Sequence, residues 1–139
     1  MKSNTPTVDS LVSLFKRRGM VDHPILFWGS ESGRRPHEFG LSLLAGEQAA
    51  ISMSASESSQ PCWLTTERFV WLDSGEQQQV RLDEVADVSP LVIDSDKQPP
   101  VLAMQIESSD KSLHDVRMPS SGILNGFIAV LHRFARRSW

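Results

Sequence analysis

The chain has 139 residues, 40% of them hydrophobic and 22% charged, with one cysteine and no tyrosine. That is enough apolar chain for a single domain with a packed core, too apolar for a wholly disordered chain, and a lone thiol excludes an internal disulfide scaffold. No apolar run approaches the roughly 18 residues of a membrane-crossing helix.

The net charge of −3 is unevenly spread. Residues 1–40 carry six Lys/Arg against four Asp/Glu, residues 41–119 carry five against thirteen, and residues 120–139 carry three arginines and no acid. An acidic middle repels phosphate backbones, which argues against nucleic acid as the main partner. The N-terminus has no apolar stretch of the signal-peptide kind after Lys2. With one thiol and no export signal, the expected location is the cytoplasm.

In chain order, Val8, Leu11, Val12 and Phe15 fall on one helical face. Thr5 before Pro6 reads as an N-cap with proline in the first turn, and Lys16, Arg17 and Arg18 suit the negative end of the helix dipole. Gly19 then reads as the stop, giving a helix over about 6–18. Pro24–Trp28 is apolar and reads as a short strand or buried turn, and 29–36 as a loop. Leu41, Leu43 and Leu44 precede Gly46 as a short strand or turn.

From Gly46 the hydrophobic period becomes two. Residues 48–55 alternate as a half-buried strand, with Ala50 the exception. Residues 62–65 and 68–73 make two aromatic-rich strands carrying Trp63, Phe69 and Trp71. Asp73-Ser74-Gly75-Glu76 is a hairpin signal, and 78–83 alternates again through Val80 and Leu82. Pro90 interrupts what would otherwise pass for a helical stripe in 84–93, so that stretch reads as extended, at an edge or a bend. Residues 101–107 and 113–118 are strands. Pro119-Ser120-Ser121 then caps a closing helix with Leu124, Phe127, Ile128, Leu131, Phe134 and Ala135 on its stripe. Gly126 interrupts this stripe's helix propensity.

Leu43-Leu44-Ala45-Gly46-Glu47, then Leu64-Thr65-Thr66-Glu67-Arg68-Phe69-Val70, then Val80-Arg81-Leu82-Asp83-Glu84-Val85-Ala86-Asp87-Val88, resembles bacterial PH-like and GRAM-like domains. The resemblance covers about residues 41–137. It implies a mainly β fold with helices: a seven-stranded antiparallel barrel or sandwich, capped by the C-terminal helix and preceded by an N-terminal helix. The division expected is 1–40 as an N-terminal helix and irregular extension, and 41–139 as the PH-like barrel with its capping helix.

The chemistry of catalysis is not legible. His23, His37, His114 and His132 are scattered and Cys62 is alone, so no metal set is spelled out. Gly29-Ser30-Glu31-Ser32-Gly33 has Glu31 where a nucleophile elbow needs serine. Asp94-Ser95-Asp96 opens like a calcium loop but has Pro99 at its sixth place and Gln105 at its twelfth. His37 with Glu38 is the one adjacent acid–base pair that an enzyme in 23–40 would use. Cys62 beside Trp63 reads as a buried thiol. No cofactor and no catalytic residue are expected.

The expected function is therefore a non-enzymatic binding or scaffolding module acting through protein contacts in a bacterial cytoplasm. Trp28, Arg34, Arg35, Arg136 and Arg137 are its candidate contact residues, the arginines supplying counter-charge to an acidic partner. Phe27 and Trp28 call for cover, which self-association through 1–40 would provide. A membrane-surface lipid adaptor and a neutralising, immunity-type partner of a toxin are the alternatives. A phosphoinositide clamp is disfavoured, because residues 56–61 hold one acid and no base where lipid-binding PH domains cluster basic residues.

Overall fold

The computed structural model describes residues 6–20, 25–28, 41–54, 60–94, 96 and 101–135. These form helix α1 (Val8–Arg18), strands β1 (Ile25–Phe27), β2 (Ala49–Met53), β3 (Cys62–Thr65), β4 (Arg68–Asp73) and β5 (Glu76–Arg81), then β6 (Val85–Asp94), β7 (Val101–Ser108), β8 (Leu113–Met118) and helix α2 (Ser121–Ala135). The fold is mainly β, with two antiparallel sheets ordered β1-β2-β3-β4-β5 and β6-β7-β8.

A closed seven-stranded barrel is not what the chain builds. A single 3₁₀ turn, Leu82–Glu84, separates β5 from β6 and ends the first ladder. At the other edge an eighth strand, β1, pairs with β2 through Ile25↔Met53 and Phe27↔Ile51. The sheets meet instead through side chains and one polar bridge. Buried Gln60 donates from Nε2 to Leu72 O (2.9 Å) on β4, and its Oε1 accepts from Arg117 N (2.8 Å) on β8. Its own amide donates to Arg117 O (3.2 Å).

α1 starts later than expected. Thr7 is the N-cap, its hydroxyl accepting from Ser10 N (3.1 Å) while Ser10 Oγ accepts from Thr7 N (3.2 Å). This reciprocal pair satisfies two orphan N–H groups, so Pro6 precedes the cap rather than opening the helix. Starting at Val8 buries Val8, Leu11 and Phe15 on one face.

β2 was expected to be half-buried, and all five of its residues are buried. The register slips between Ala49 and Ile51, and this bulge brings Ala50 into the main core beside Ile51. On the outer side, Trp28 Nε1 donates to Ser52 Oγ (2.8 Å), and Trp28 packs with Ala49, Leu41, Leu43 and Trp63. The β4–β5 hairpin carries Ser74 and Gly75 at φ 53° and 84°, the left-handed pair that a two-residue turn requires. That turn sets Asp73 against Glu76, so β5 begins two residues before the alternation suggested and ends before Leu82. Pro90 sits in β6, an edge strand, where a missing N–H is tolerated.

An aromatic series ties the layers together. Phe27 of β1 meets Phe15 of α1 (centroids 5.7 Å), Phe15 meets Phe127 of α2 (5.0 Å), and Phe127 meets Phe69 of β4 (5.5 Å), each edge to face. Phe69 then lies by Trp71 (5.8 Å), and Trp71 meets His114 of β8 edge to face (5.4 Å). α1, although it precedes residue 40, is thus part of the same core as both sheets and α2.

The helices approach closely because glycines face each other. Gly19 ends α1 in extended backbone at φ −94°, so it is not there for a left-handed conformation. A Cβ on Gly19 would stand 2.7 Å from Gly126 Cα, and one on Gly126 would stand 2.5–2.7 Å from the Phe15 ring. Alanine at mid-helix ordinarily gains about 1 kcal/mol over glycine. Here Phe15 is hemmed in by Phe27 and Phe127, so Gly126→Ala should instead lower stability by about 1–3 kcal/mol. Urea unfolding measures this, and a raised midpoint would show α1 free to retreat.

Candidate functional site

Two polar constellations stand out, one buried and one open. The buried one gathers residues of the motifs described above. Gly46, at φ +79°, turns the chain so that Glu47 points inward ahead of β2. Arg68 opens β4, and its guanidinium forks onto the carboxylate, Nε to Oε2 at 2.8 Å and Nη2 to Oε1 at 3.1 Å. Its remaining donors reach Gln79 Oε1 (2.6 Å) and Ser42 O (2.8 Å). Thr65 Oγ1 donates to Glu47 Oε2, and Leu44 N donates to Oε1 (2.8 Å). Thr65 Oγ1 also accepts from Glu67 N and Arg68 N, closing the β3–β4 turn.

Burial pushes the Glu47 carboxyl up, but the hydrogen bonds from Arg68, Thr65 and Leu44 and the Arg68 charge outweigh it, so its pKa lies below the usual value. No buried side-chain polar atom among the described residues lacks a partner. Both carboxylate oxygens and each guanidinium nitrogen here have partners inside the chain. The network fastens the segment before β2 to the β3–β4 turn and β5, and so acts as a structural clasp.

Ser108 Oγ and His114 Nε2, 3.2 Å apart, are the described hydroxyl–imidazole pair. The Ser108 hydroxyl also lies 3.5 Å from Ser112 O, and Ser108 N donates to the same oxygen (2.9 Å). This geometry closes the β7–β8 hairpin. Cys62 is fully buried, and burial pushes its thiol pKa far up, which keeps it protonated. Among the described residues, no three His, Cys, Asp or Glu stand together as a metal set, and no helix is long and apolar enough to cross a membrane.

The open constellation is a groove of about 700 Å³ between α1, α2 and β6. α1 contributes Leu14, Arg17 and Arg18. α2 contributes Asn125, Ile128, Ala129, His132 and Arg133, and β6 contributes Val88. The floor is apolar: Val88 is buried, and Leu14, Ile128 and Ala129 are half-buried. The walls are cationic, and none of the described lining residues is acidic. Among the described residues no carboxylate pairs with Arg17, Arg18 or Arg133; the exposed ion pair described is Arg81–Asp83, elsewhere.

The local sequence explains the groove. α2 buries Ile123, Leu124, Phe127, Val130, Leu131 and Phe134 against the core. Asn125, Ile128, Ala129, His132 and Arg133 recur at i, i+3, i+4, i+7 and i+8, a second stripe on the margin of that core, against which Ile128 still packs. The basic last turn of α1 lies alongside it because the glycines let the helices close.

Of the expected contact residues, Arg34, Arg35, Arg136 and Arg137 lie outside the described residues, as do His37 and Glu38. Trp28 is only 8% exposed; the chain itself covers it. The basic end of α2 was legible from His132 and Arg133. The share taken by Arg17 and Arg18 was not, because their charges suit a helix C-terminus whether or not anything binds there. The second stripe of α2 was hidden because it reads as the ordinary solvent face of an amphipathic helix.

Comparison of the chain with protein-family models, with curated proteins and with solved structures gives no match in any of the three.

Proposed function

We propose that this protein is a non-enzymatic binding or scaffolding module of PH-like kind, acting through protein–protein contacts, with the α1–α2 groove as its contact site. The single observation that carries the reading is the groove's composition: an apolar floor walled by Arg17, Arg18 and Arg133, with no carboxylate among the described lining residues. Unspent charge beside apolar surface is what an interface anchor requires, arginine being favoured there for its planar, multivalent guanidinium. The PH-like part of the reading is supported by the seven strands β2–β8 in meander order, closed by a helix packed on both sheets. It is further supported by the motif residues Glu47, Thr65 and Arg68 converging in one clasp.

The test is a photo-crosslinking amino acid at Asn125, on the exposed rim, introduced into the protein in living cells. The expected result is a covalent adduct with another protein that disappears when Arg133→Glu is added. Adducts with lipid alone, or protein adducts of unchanged yield in the Arg133→Glu background, would overturn it.

A further inference from the structure

We infer that the groove takes one short acidic amphipathic helix from a protein partner, laid as a third helix against α1 and α2. The inference rests on the protein-binding reading above and adds the chemistry and shape of the occupant.

The apolar floor comes first. Val88, Leu14, Ile128 and Ala129 offer nothing to a bare phosphate or a free carboxylate, so the ligand must bring apolar side chains as well as negative charge. The arrangement of the lining comes second. On α2 the rows 125–129–133 and 128–132 are i±4 ridges, and Leu14 and Arg18 form a matching row on α1. Ridges of this kind receive another helix between them, and Ala129 at the centre leaves room for close approach. From Asn125 to Arg133 the stripe runs about 12 Å, which accommodates about two turns of a docked helix.

The surrounding charge decides between a peptide and a membrane. Asp87 precedes Val88 in β6 and pairs in register with Glu107 of β7, so both acids lie on the face of the sheet opposite Val88. Glu84 and Asp83 precede them on the 3₁₀ turn, exposed. An anionic bilayer or a long polyanion, with a footprint wider than the groove, must also accommodate the exposed acids Asp83 and Glu84 of the 3₁₀ turn, which packs against α2. A two-turn helix meets only the groove. Carboxylates spaced on either side of its apolar stripe pair with Arg17 and Arg18 on one wall and Arg133 on the other.

The experiment uses the full chain and a fluorescein-labelled 14-residue peptide with leucines at i, i+3, i+4, i+7 and glutamates flanking them. Controls are the same peptide with every Glu replaced by Gln, the same peptide with every Glu replaced by Lys, and vesicles of phosphatidylserine and phosphatidylcholine. Anisotropy should show saturable binding of the Glu peptide, weakened about tenfold or more by Arg17→Glu/Arg133→Glu. The Lys peptide should bind that double variant in preference to the wild-type chain. Ala129→Gln keeps the charge and should weaken the Glu peptide by obstructing the floor.

Equal binding of the Glu and Gln peptides, equal binding by wild-type and charge-reversed chains, absence of binding to the folded wild-type chain, or binding to vesicles in place of peptide would each overturn the inference. Circular dichroism of each variant establishes that it is folded; the substituted arginines are exposed and outside the core, and Ala129→Gln provides a second route with no charge change. A protein adduct at Asn125 together with failure of the peptide leaves the binding module standing and removes the acidic helix.

Discussion

Arg68→Ala should cost about 3–5 kcal/mol in chemical denaturation, far more than loss of an exposed arginine. The guanidinium is almost wholly enclosed, and the Glu47 side chain that it pairs with has no exposed surface. Removing Arg68 leaves a buried carboxylate with only Thr65 and Leu44 as donors, while Gln79 and Ser42, both exposed, turn to water. Much of the penalty is thus the cost of an uncompensated charge, not the net worth of the pair. The double variant Glu47→Leu/Arg68→Met, which removes both charges, should be less destabilised than Arg68→Ala alone. A double variant as unstable as Arg68→Ala would mean that hydrogen bonding to the backbone, not charge, dominates.

The same pair sets a pH dependence. In the folded wild type the Glu47 pKa lies below that of an ordinary glutamate. The group therefore adds stability in full above about pH 4.5, and that contribution is lost as pH falls through the lower folded value. In Arg68→Ala burial remains while the cation and its hydrogen bonds are gone, so the folded pKa rises relative to wild type and the carboxylate's contribution to stability shrinks. The stability gap between wild type and variant should be widest at neutral pH and narrow on acidification. Denaturation midpoints at pH 4 and pH 7 measure this; a gap that widens in acid would contradict the charge assignment.

Phe127→Ala should likewise cost about 3–5 kcal/mol, the range for deleting a buried aromatic ring. Phe127 is fully buried and holds both Phe15 of α1 and Phe69 of β4 edge to face. Its loss opens a cavity where helix α1, helix α2 and the five-stranded sheet converge. A domain of this size has about 5–15 kcal/mol in total, so the variant retains only part of its stability. Hydrogen exchange should show the α1 amides losing more protection than those of β7, because α1 is held largely through this aromatic contact and the glycine crossing. A loss under about 1 kcal/mol, or uniform protection changes, would show that α1 is held by something else.

Much of the fold is written in local pattern. The strands 62–65, 68–73 and 113–118 are bounded as the turns between them imply; β8 alternates over a half-covered face, whereas β3 and most of β4 are buried on both faces. The Ser74-Gly75 turn, the placing of Pro90 in an edge strand and the stripe of α2 follow from residues a few positions apart. What failed to show in pattern depends on residues distant in sequence. Ala50 breaks the alternation of β2 because a bulge and Trp28, more than twenty residues earlier, bury both faces. Gly126 weakens its helix locally and is needed because Phe15 and Gly19 press against it from the other end of the chain.

The candidate site divides the same way. Glu47, Thr65 and Arg68 stand out as motif residues, yet their charges say nothing about whether they face a ligand or each other; only burial turns them into a clasp. Arg17, Arg18 and Arg133 carry their charge in the sequence, and the amphipathic stripes say which faces go inward. That the outward faces of two helices over a hundred residues apart become the walls of one groove was decided by the tertiary crossing. Charge and periodicity are local properties of a chain, whereas a site is a coincidence of surfaces, and surfaces exist only once the core has fixed how its elements meet.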